Sequence, residues 1–144
     1  VMTTDATPFE IGKAQIFWKS DKPVVGIIAT GALLHKALTA AKELEGKGIE
    51  TEVMNLTTIK PLDDKAIIEL AKKTGKIVTV EEHQIAGGMG SAVAEYLAKN
   101  YPVPIGFIGV DDQFGQSGTP EELIEHFGLG KEGIMSAVRD VLKK

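Results

Sequence analysis

The sequence has 144 residues and a formal net charge of -4, from 16 Lys and Arg against 20 Asp and Glu. This length is typical of one domain with a hydrophobic core, and it excludes a two-domain enzyme and a disulfide-stabilised miniprotein. Because there is no cysteine, a thiol nucleophile and a thiolate metal site are excluded as well. The mildly acidic balance offers no dense basic face and argues against nucleic-acid binding.

Membrane insertion and secretion are not expected from the sequence. Apolar runs such as residues 24–29 are far shorter than the roughly 20 residues that span a bilayer. No basic start, apolar stretch and small-residue cleavage site combine near residue 1. We therefore expect a cytoplasmic protein without a membrane segment.

Short apolar runs alternate with segments of helical periodicity along most of the chain. The runs are typical of strands buried on both faces of a parallel sheet, and each is followed by an amphipathic helix. The alternation predicts an α/β fold, a three-layer α/β/α sandwich around a mostly parallel sheet of about five strands. Strands are predicted over 24–30, 51–56, 77–80 and 105–110, and helices over 32–45, 63–74 and 91–100.

Two further helices are predicted near the end of the sequence. Thr119 and Glu122 form a capping box with Pro120 at the first helical position, which predicts a helix ending at Phe127. An amphipathic helix follows over 131–142, and the helices together should cover both faces of the sheet.

The segment before the first predicted helix is less regular. Residues 15–18 are predicted to form an additional strand, which a polar turn would join to the strand at 24–30 as an antiparallel hairpin at one sheet edge. Residues 1–14 lack an amphipathic period, and Pro8 and Gly12 interrupt them. We interpret them as a linker, and with valine as residue 1 they suggest a fragment whose partner lies on the N-terminal side.

The most suggestive stretch for chemistry follows the predicted strand 77–80. Glycines at a helix N-terminus let backbone amides approach an anion, and a serine there can cap the helix or bind a phosphate. A purely structural turn explains the same residues, with the acids on a solvated rim and the histidine bonded to backbone. The candidate anion-binding or interface residues are Glu81, Glu82, His83, Gly87, Gly88, Gly90 and Ser91.

Two more loops should lie at the carboxyl ends of strands, where open α/β sheets bind ligands or partners. Lys60 precedes Pro61 and Asp63, a pattern that initiates a helix but also offers an interface cation. Asp111 ends a strand, and Phe114 lies in the polar loop that follows it. An aromatic residue in such a loop indicates docking against another surface.

Standard enzyme and metal motifs do not fit. Gly88 and Gly90 match the start of a dinucleotide fingerprint and Asp111 lies at a suitable distance, but Val93 replaces the third glycine. A nucleotide-binding module is therefore a weak alternative. The three histidines lie far apart in sequence, and no serine stands in a nucleophile elbow. We predict no catalytic, cofactor-binding or metal-ligating residue in this chain.

Several motifs, in their order and spacing, closely resemble the C-terminal domain of transketolase. The resemblance extends over nearly the whole chain and is closest to transketolases encoded as two sections. It rests on residues 7–14, Ala29-Thr30-Gly31, residues 55–63, Val78-Thr79-Val80-Glu81-Glu82-His83, Gly87-Gly88-Met89-Gly90-Ser91 and residues 114–123.

This resemblance implies a role within a larger enzyme. In that family, thiamine diphosphate and magnesium lie between a diphosphate-binding and a pyrimidine-binding domain, usually across a dimer, and a two-carbon ketol group moves between sugar phosphates. The chain would then be the third domain, over 15–144, with residues 1–14 as the linker from the pyrimidine-binding domain. It would support dimerisation and domain packing, bind no cofactor alone and have no activity alone.

Related families with the same domain remain alternatives. Deoxyxylulose-phosphate synthases have an arginine ahead of their Lys-Pro-Leu-Asp, where this sequence has Thr57 and Thr58, and this favours transketolase. The β subunits of 2-oxo acid dehydrogenases resemble the chain less in the loops around Glu82 and Lys60. A free-standing anion- or nucleotide-binding module is the remaining alternative.

Overall fold

A five-stranded sheet lies between two layers of helices in the computed structural model, which describes residues 3–144. The strands are β1 (Gln15–Lys19), β2 (Val25–Ala29), β3 (Thr51–Asn55), β4 (Ile77–Gln84) and β5 (Ile105–Val110). The helices are α1 (Leu34–Gly46, preceded by a 3-10 turn over Gly31–Leu33), α2 (Asp64–Thr74), α3 (Met89–Asn100), α4 (Pro120–His126) and α5 (Lys131–Leu142). The predicted α/β/α sandwich is confirmed.

The strand order is β1-β3-β2-β4-β5. The pairs β2–β3, β2–β4 and β4–β5 are parallel, and β1 runs antiparallel to β3. The sheet is therefore mostly parallel with one antiparallel edge strand, as the sequence predicts. The order reverses between β2 and β4, and such a reversal opens a crevice at the carboxyl ends of the strands.

The predicted hairpin between β1 and β2 is wrong, because β1 pairs with β3 instead. Both edges of β2 are occupied by β3 and β4. The connection from β1 is held at the start of β3, where the Lys22 amide donates to a Glu50 carboxylate oxygen at 2.6 Å and the Val24 amide donates to the Glu50 carbonyl at 2.9 Å. The chain thus passes the start of β3 before it enters the sheet centre as β2.

Two hydrophobic clusters hold the sandwich together, one on each face of the sheet. One cluster joins α1 and α5 to the sheet and includes Leu44, Val78 and Val138. The other joins α2 and α3 to the opposite face and includes Ile67 and Leu97. Helices therefore cover both sheet faces, as predicted from the periodicity.

Two predicted element boundaries need correction, and one capping motif is confirmed. Strand β4 continues past Val80 to Gln84, and α3 begins at Met89 rather than Ser91. The strand continues because its end still pairs with β5, where Gln84 lies opposite Val110 and the Ile85 amide donates to the Val110 carbonyl at 2.9 Å. At α4, the Thr119 hydroxyl accepts from the Glu122 amide, and the Glu122 carboxylate accepts from the Thr119 amide.

An ion-pair cluster connects α1 to α5. The Lys131 Nζ lies 2.6 Å from Glu43 Oε2, and Lys47 Nζ lies 2.7 Å from Glu43 Oε1. Hydrogen bonding from Lys131, and then from Lys47, lowers the pKa of Glu43 from 4.5 to about 2. A lowered folded-state pKa stabilises the fold above the unfolded pKa, and the contribution is lost as the pH falls through the folded value.

We expect Glu43→Gln to lower the midpoint of thermal unfolding near neutral pH. The difference from the unmodified chain should shrink between about pH 4.5 and about pH 2, because protonation then removes the same charge. Circular dichroism melts across this range measure it. As a control, Glu69→Gln should change little, since Glu69 forms no ion pair within residues 3–144. A difference independent of pH would contradict the expectation.

The segment before β1 contacts the loop between β3 and α2. The Gly12 amide donates to Thr58 Oγ1 at 2.8 Å, and the Ala14 amide donates to Asp63 Oδ2 at 2.9 Å. Asp63 also caps α2 by accepting from the Ala66 amide, so the predicted helix start is confirmed. Residues 1 and 2 of the predicted linker lie outside the described residues. Within residues 3–144, no helix has both the length and the apolar character for crossing a membrane.

Candidate functional site

The loops at the carboxyl ends of the parallel strands surround a cleft of about 290 Å³. It opens at the reversal of strand order, between the end of β2 and the end of β4. Thr30 and Gly31 form one wall, and Ile59 comes from the loop after β3. The opposite wall brings together the predicted residues Glu81, Glu82, His83, Gly87 and Gly88.

The Glu81 carboxylate lies at the N-terminus of α3. Its Oε2 accepts from the Met89 amide at 2.7 Å, and its Oε1 accepts from the Gly90 amide at 2.8 Å. The side chain is only 1% exposed, so the interpretation of Glu81 as part of a solvated rim is wrong. These two bonds pair a buried charge with the positive end of the helix, which stabilises both. The two amides are therefore not free to receive a phosphate.

The glycines of this turn make room for that carboxylate. A Cβ at Gly88 would overlap Glu81 Oε2 and the carbonyl oxygen of Gln84, and one at Gly90 would lie 2.6 Å from Thr79 Oγ1. Gly87 has a φ of 78°, in the left-handed region that favours glycine. Close packing at Gly88 and Gly90, together with the backbone conformation at Gly87, thus explains why this turn is rich in glycine.

Ser91 closes the same turn instead of capping the helix or facing the cleft. Its hydroxyl donates to the Ile85 carbonyl at 2.6 Å and accepts from the Gly87 amide at 3.0 Å. The His83 ring nitrogen Nδ1 lies 3.0 Å from the backbone oxygen of Gln84. Both side chains therefore hold the loop through backbone groups.

Several charged and apolar side chains remain accessible at this edge. Glu82, His83 and Lys60 are exposed. The large apolar side chain of Ile59 lies at the rim of the cleft and is 44% exposed to solvent. Glu82 also borders a second cleft of about 270 Å³, which is lined mainly by apolar residues such as Leu123.

The loop after β5 carries the most exposed aromatic side chain. Phe114 is 97% exposed, and the whole segment 111–122, including Asp111, is exposed. Gln84 ties this loop to β4, because its side chain donates to the Gln113 carbonyl at 3.1 Å and accepts from the Asp112 amide at 3.1 Å. The loop thus starts at the end of β4 and leaves the Phe114 side chain uncovered.

Two residues of this edge are missing from the sequence-based prediction. Ile59 carries no local signal, because a lone isoleucine before Lys60 is indistinguishable from a core residue. Gln84 has none either, since its two partners lie 28 and 29 residues further along the chain. Only the tertiary fold brings these residues together.

The chemistry available at this edge is limited. Within residues 3–144, no group of three or more His, Cys, Asp or Glu side chains could hold a metal ion. His35 on α1 and His126 on α4 are exposed, as the sequence predicts.

Comparisons with known proteins agree on one family. The sequence profile of "Transketolase, C-terminal domain" matches residues 12–134. The chain is 43% identical over 136 residues to the 6-deoxy-6-sulfo-D-fructose transketolase subunit SqwH of a Clostridium species, covering 94% of this chain and 42% of that protein. It is 40% identical over 144 residues to a subunit of the apulose-4-phosphate transketolase of Phocaeicola vulgatus, covering 100% and 45%.

A solved structure matches the fold over nearly the whole chain. It is described as "Split gene transketolase, inactive beta4 tetramer", and it is similar with a TM-score of 0.93 and 41% sequence identity, covering 99% of this chain and 46% of that one. The chain spans less than half the length of these relatives. With the profile match over most of its residues and the same arrangement of strands and helices, it belongs to the transketolase family as a C-terminal domain.

Proposed function

We propose that this chain is the accessory C-terminal domain of a thiamine diphosphate-dependent transketolase, in which it supports assembly and does not itself perform catalysis. The complete enzyme would transfer a two-carbon ketol unit between sugar phosphates in the carbohydrate metabolism of the cytoplasm. The remaining domains, in the same polypeptide or in a second chain, would supply the cofactor site. Residues 1–14 would lead from the pyrimidine-binding domain to the domain at 15–144.

One observation carries the proposal: the relatives named as transketolase subunits are more than twice as long as the segment they share with this chain. The shared segment is the part described here. The other part of each relative has no counterpart among these 144 residues.

The residues of this domain also support a cofactor site in the other domains of the enzyme. Magnesium bound to a diphosphate needs several oxygen ligands around one point. The described residues provide no cluster of three metal-ligating side chains. The backbone amides at the N-terminus of α3 already donate to the Glu81 carboxylate. The described residues alone therefore do not fit thiamine diphosphate with its magnesium ion.

The alternative of a free-standing anion-binding module is weakened by the same geometry. A phosphate at the start of α3 would have to displace the buried Glu81 carboxylate and lie next to Glu82. The candidates Lys60, Glu82, His83, Asp111 and Phe114 fit better as residues that contact a neighbouring domain. A large exposed aromatic side chain surrounded by polar groups is typical of such contacts.

The direct test compares ketol transfer by two preparations. The purified 144-residue chain, with thiamine diphosphate, magnesium and sugar phosphates, should give no turnover. Adding a chain that carries the diphosphate-binding and pyrimidine-binding domains should give turnover that depends on the amount of this chain. Equal turnover with and without it would contradict the accessory role.

We expect Phe114→Ser to weaken binding of this chain to those domains by about 10-fold or more, because an exposed aromatic residue is a typical interface anchor. Isothermal titration calorimetry with the other domains as a separate chain measures it. Val24→Ser is the matched control, since Val24 is exposed at the opposite end of the sheet. Equal affinity of the Phe114 variant and the unmodified chain would exclude this loop from the interface.

A further inference from the structure

The second cleft, between the end of β5 and α4, leads from the surface toward the hydrophobic core. Its volume is about 270 Å³, and most of its lining is apolar: Val110, Pro120, Leu123, Ile124, Phe127 and Leu129. Ile124 and Leu129 are buried members of the core cluster that α1 and α5 cover, and Phe127 packs against that cluster. The cleft is therefore an opening in the cover of the core.

The size of the cleft suits one large apolar side chain. An apolar cavity of about 150 Å³ binds benzene, so a volume of about 270 Å³ has room for a leucine, methionine or phenylalanine side chain. Sites for small-molecule ligands are usually larger, about 300–1,000 Å³. Apolar side chains that fill such openings are typical anchors of protein interfaces.

The surface around this cleft is acidic. Glu82 belongs to its lining, and Asp111, Glu121 and Glu125 each directly follow a lining residue in the sequence. All four are exposed, and within residues 3–144 only Glu121 of these four forms an ion pair, with Lys36 at 3.0 Å. From residue 100 to residue 130 the sequence contains no lysine or arginine. A partner at this cleft therefore meets mostly uncompensated negative charge.

This charge selects the class of partner. Nucleic acid and anionic lipid are repelled, whereas a protein segment that carries lysine or arginine is attracted. The apolar opening adds a second requirement, because only a large apolar side chain fills it without leaving a polar group unpaired. The two requirements together describe a basic segment with an apolar anchor.

We propose that the cleft between β5 and α4 is the docking site for a basic segment of the neighbouring domain. The apolar side chain of that segment enters among Leu123, Ile124 and Phe127, and its cations pair with Glu82 and Asp111. The loop that carries Phe114 starts after Val110 and reaches Gly118, which both line the cleft, so Phe114 belongs to the same contact. The inference rests on the proposed accessory role and names the chemistry of the partner.

Two glycine substitutions test the cleft by titration calorimetry with the chain that carries the diphosphate-binding and pyrimidine-binding domains. A Cβ at Gly118 lies 3.3 Å from Leu123 Cδ2, so the side chain of Gly118→Leu would occupy the cleft from an exposed loop. This variant should raise Kd about 10-fold or more. Gly46→Leu is the matched control, since a Cβ at Gly46 has no atom within 4 Å and lies about 15 Å along α1 from Lys36. It should leave Kd within about 2-fold.

Charge reversal tests the basic character of the partner. Glu82→Lys should raise Kd about 10-fold or more, chiefly through slower association. An increase in NaCl from about 50 to about 500 mM should weaken binding of the unmodified chain more than that of Glu82→Lys. Glu69→Lys makes the same change in net charge on exposed α2, on the opposite face of the sheet, and should leave Kd nearly unchanged.

The outcomes separate this proposal from the accessory role. An unchanged Kd for either Gly118→Leu or Glu82→Lys, or tighter binding by Glu82→Lys, would overturn the docking site. If ketol transfer still required the chain in that case, only the docking site would be wrong. Absence of any binding, with ketol transfer that does not need this chain, would overturn the accessory role and the docking site together.

Discussion

Replacement of Glu81 by alanine is expected to lower the free energy of unfolding by about 3 kcal/mol. The Met89 and Gly90 amides would lose the carboxylate oxygens that they contact at 2.7 and 2.8 Å, and both amides are buried. Buried donors without acceptors cost about 1–3 kcal/mol each, and a cavity would form beneath the turn. Urea unfolding followed by circular dichroism measures the loss.

Two variants separate this effect from a general sensitivity of the loop. Glu81→Gln keeps one acceptor oxygen and should lose less than the alanine variant. Glu82→Ala, at the neighbouring exposed position, should stay within about 0.5 kcal/mol of the unmodified chain. Equal stability of Glu81→Ala and Glu82→Ala would show that the buried carboxylate does not hold the start of α3.

Substitution of Gly88 by alanine should cost about 3 kcal/mol, although it adds only one methyl group. Its Cβ would overlap the Gln84 carbonyl oxygen, which is backbone, and the Glu81 carboxylate. Relief requires a shift of the β4–α3 turn, and that shift would also break the two bonds to Glu81. The same unfolding experiment measures the change.

Gly46→Ala is the matched control, because a Cβ there has no atom within 4 Å and Gly46 lies in α1. Alanine at that position should raise stability by up to about 1 kcal/mol, since glycine is a poor helix former. A Gly88→Ala variant as stable as Gly46→Ala would contradict the tight packing of the turn.

The layers and the helices were predictable from the sequence, because each depends on local signals. Apolar runs bounded by glycine and proline mark β2 and β5, and the capping box of Thr119 marks α4 within one residue. The partner of β1 was not predictable in this way. It depends on the pairing of β1 with β3, in which Gln15 lies opposite Asn55 and Lys19 opposite Glu52, residues far apart in the sequence.

The candidate site was predictable in composition but not in arrangement. The acidic pair and the glycines mark the turn after β4, yet the burial of Glu81 and the exposure of Glu82 follow from the direction of each side chain on β4. Alternation along the strand places one carboxylate against α3 and the next in the cleft. The sequence correctly indicates that the start of α3 favours a negative charge. The Glu81 carboxylate supplies that charge, so no external anion is needed there.

This arrangement holds the carboxyl edge of the sheet in one conformation. Glu81, Gly88 and Ser91 fix the turn from within, while Gln84 fixes the loop that carries Phe114. The exposed side chains that we propose to contact a neighbouring domain are therefore already held on a defined surface. Such preorganisation lowers the entropic cost of association.

The most direct measurement is ketol transfer by chains carrying the diphosphate-binding and pyrimidine-binding domains, assayed with and without this chain. We expect no turnover from the 144 residues alone and a rise in turnover as they are added, to a plateau at equal stoichiometry. Robust turnover by the 144 residues with thiamine diphosphate and magnesium, in the absence of any other chain, would contradict the accessory role.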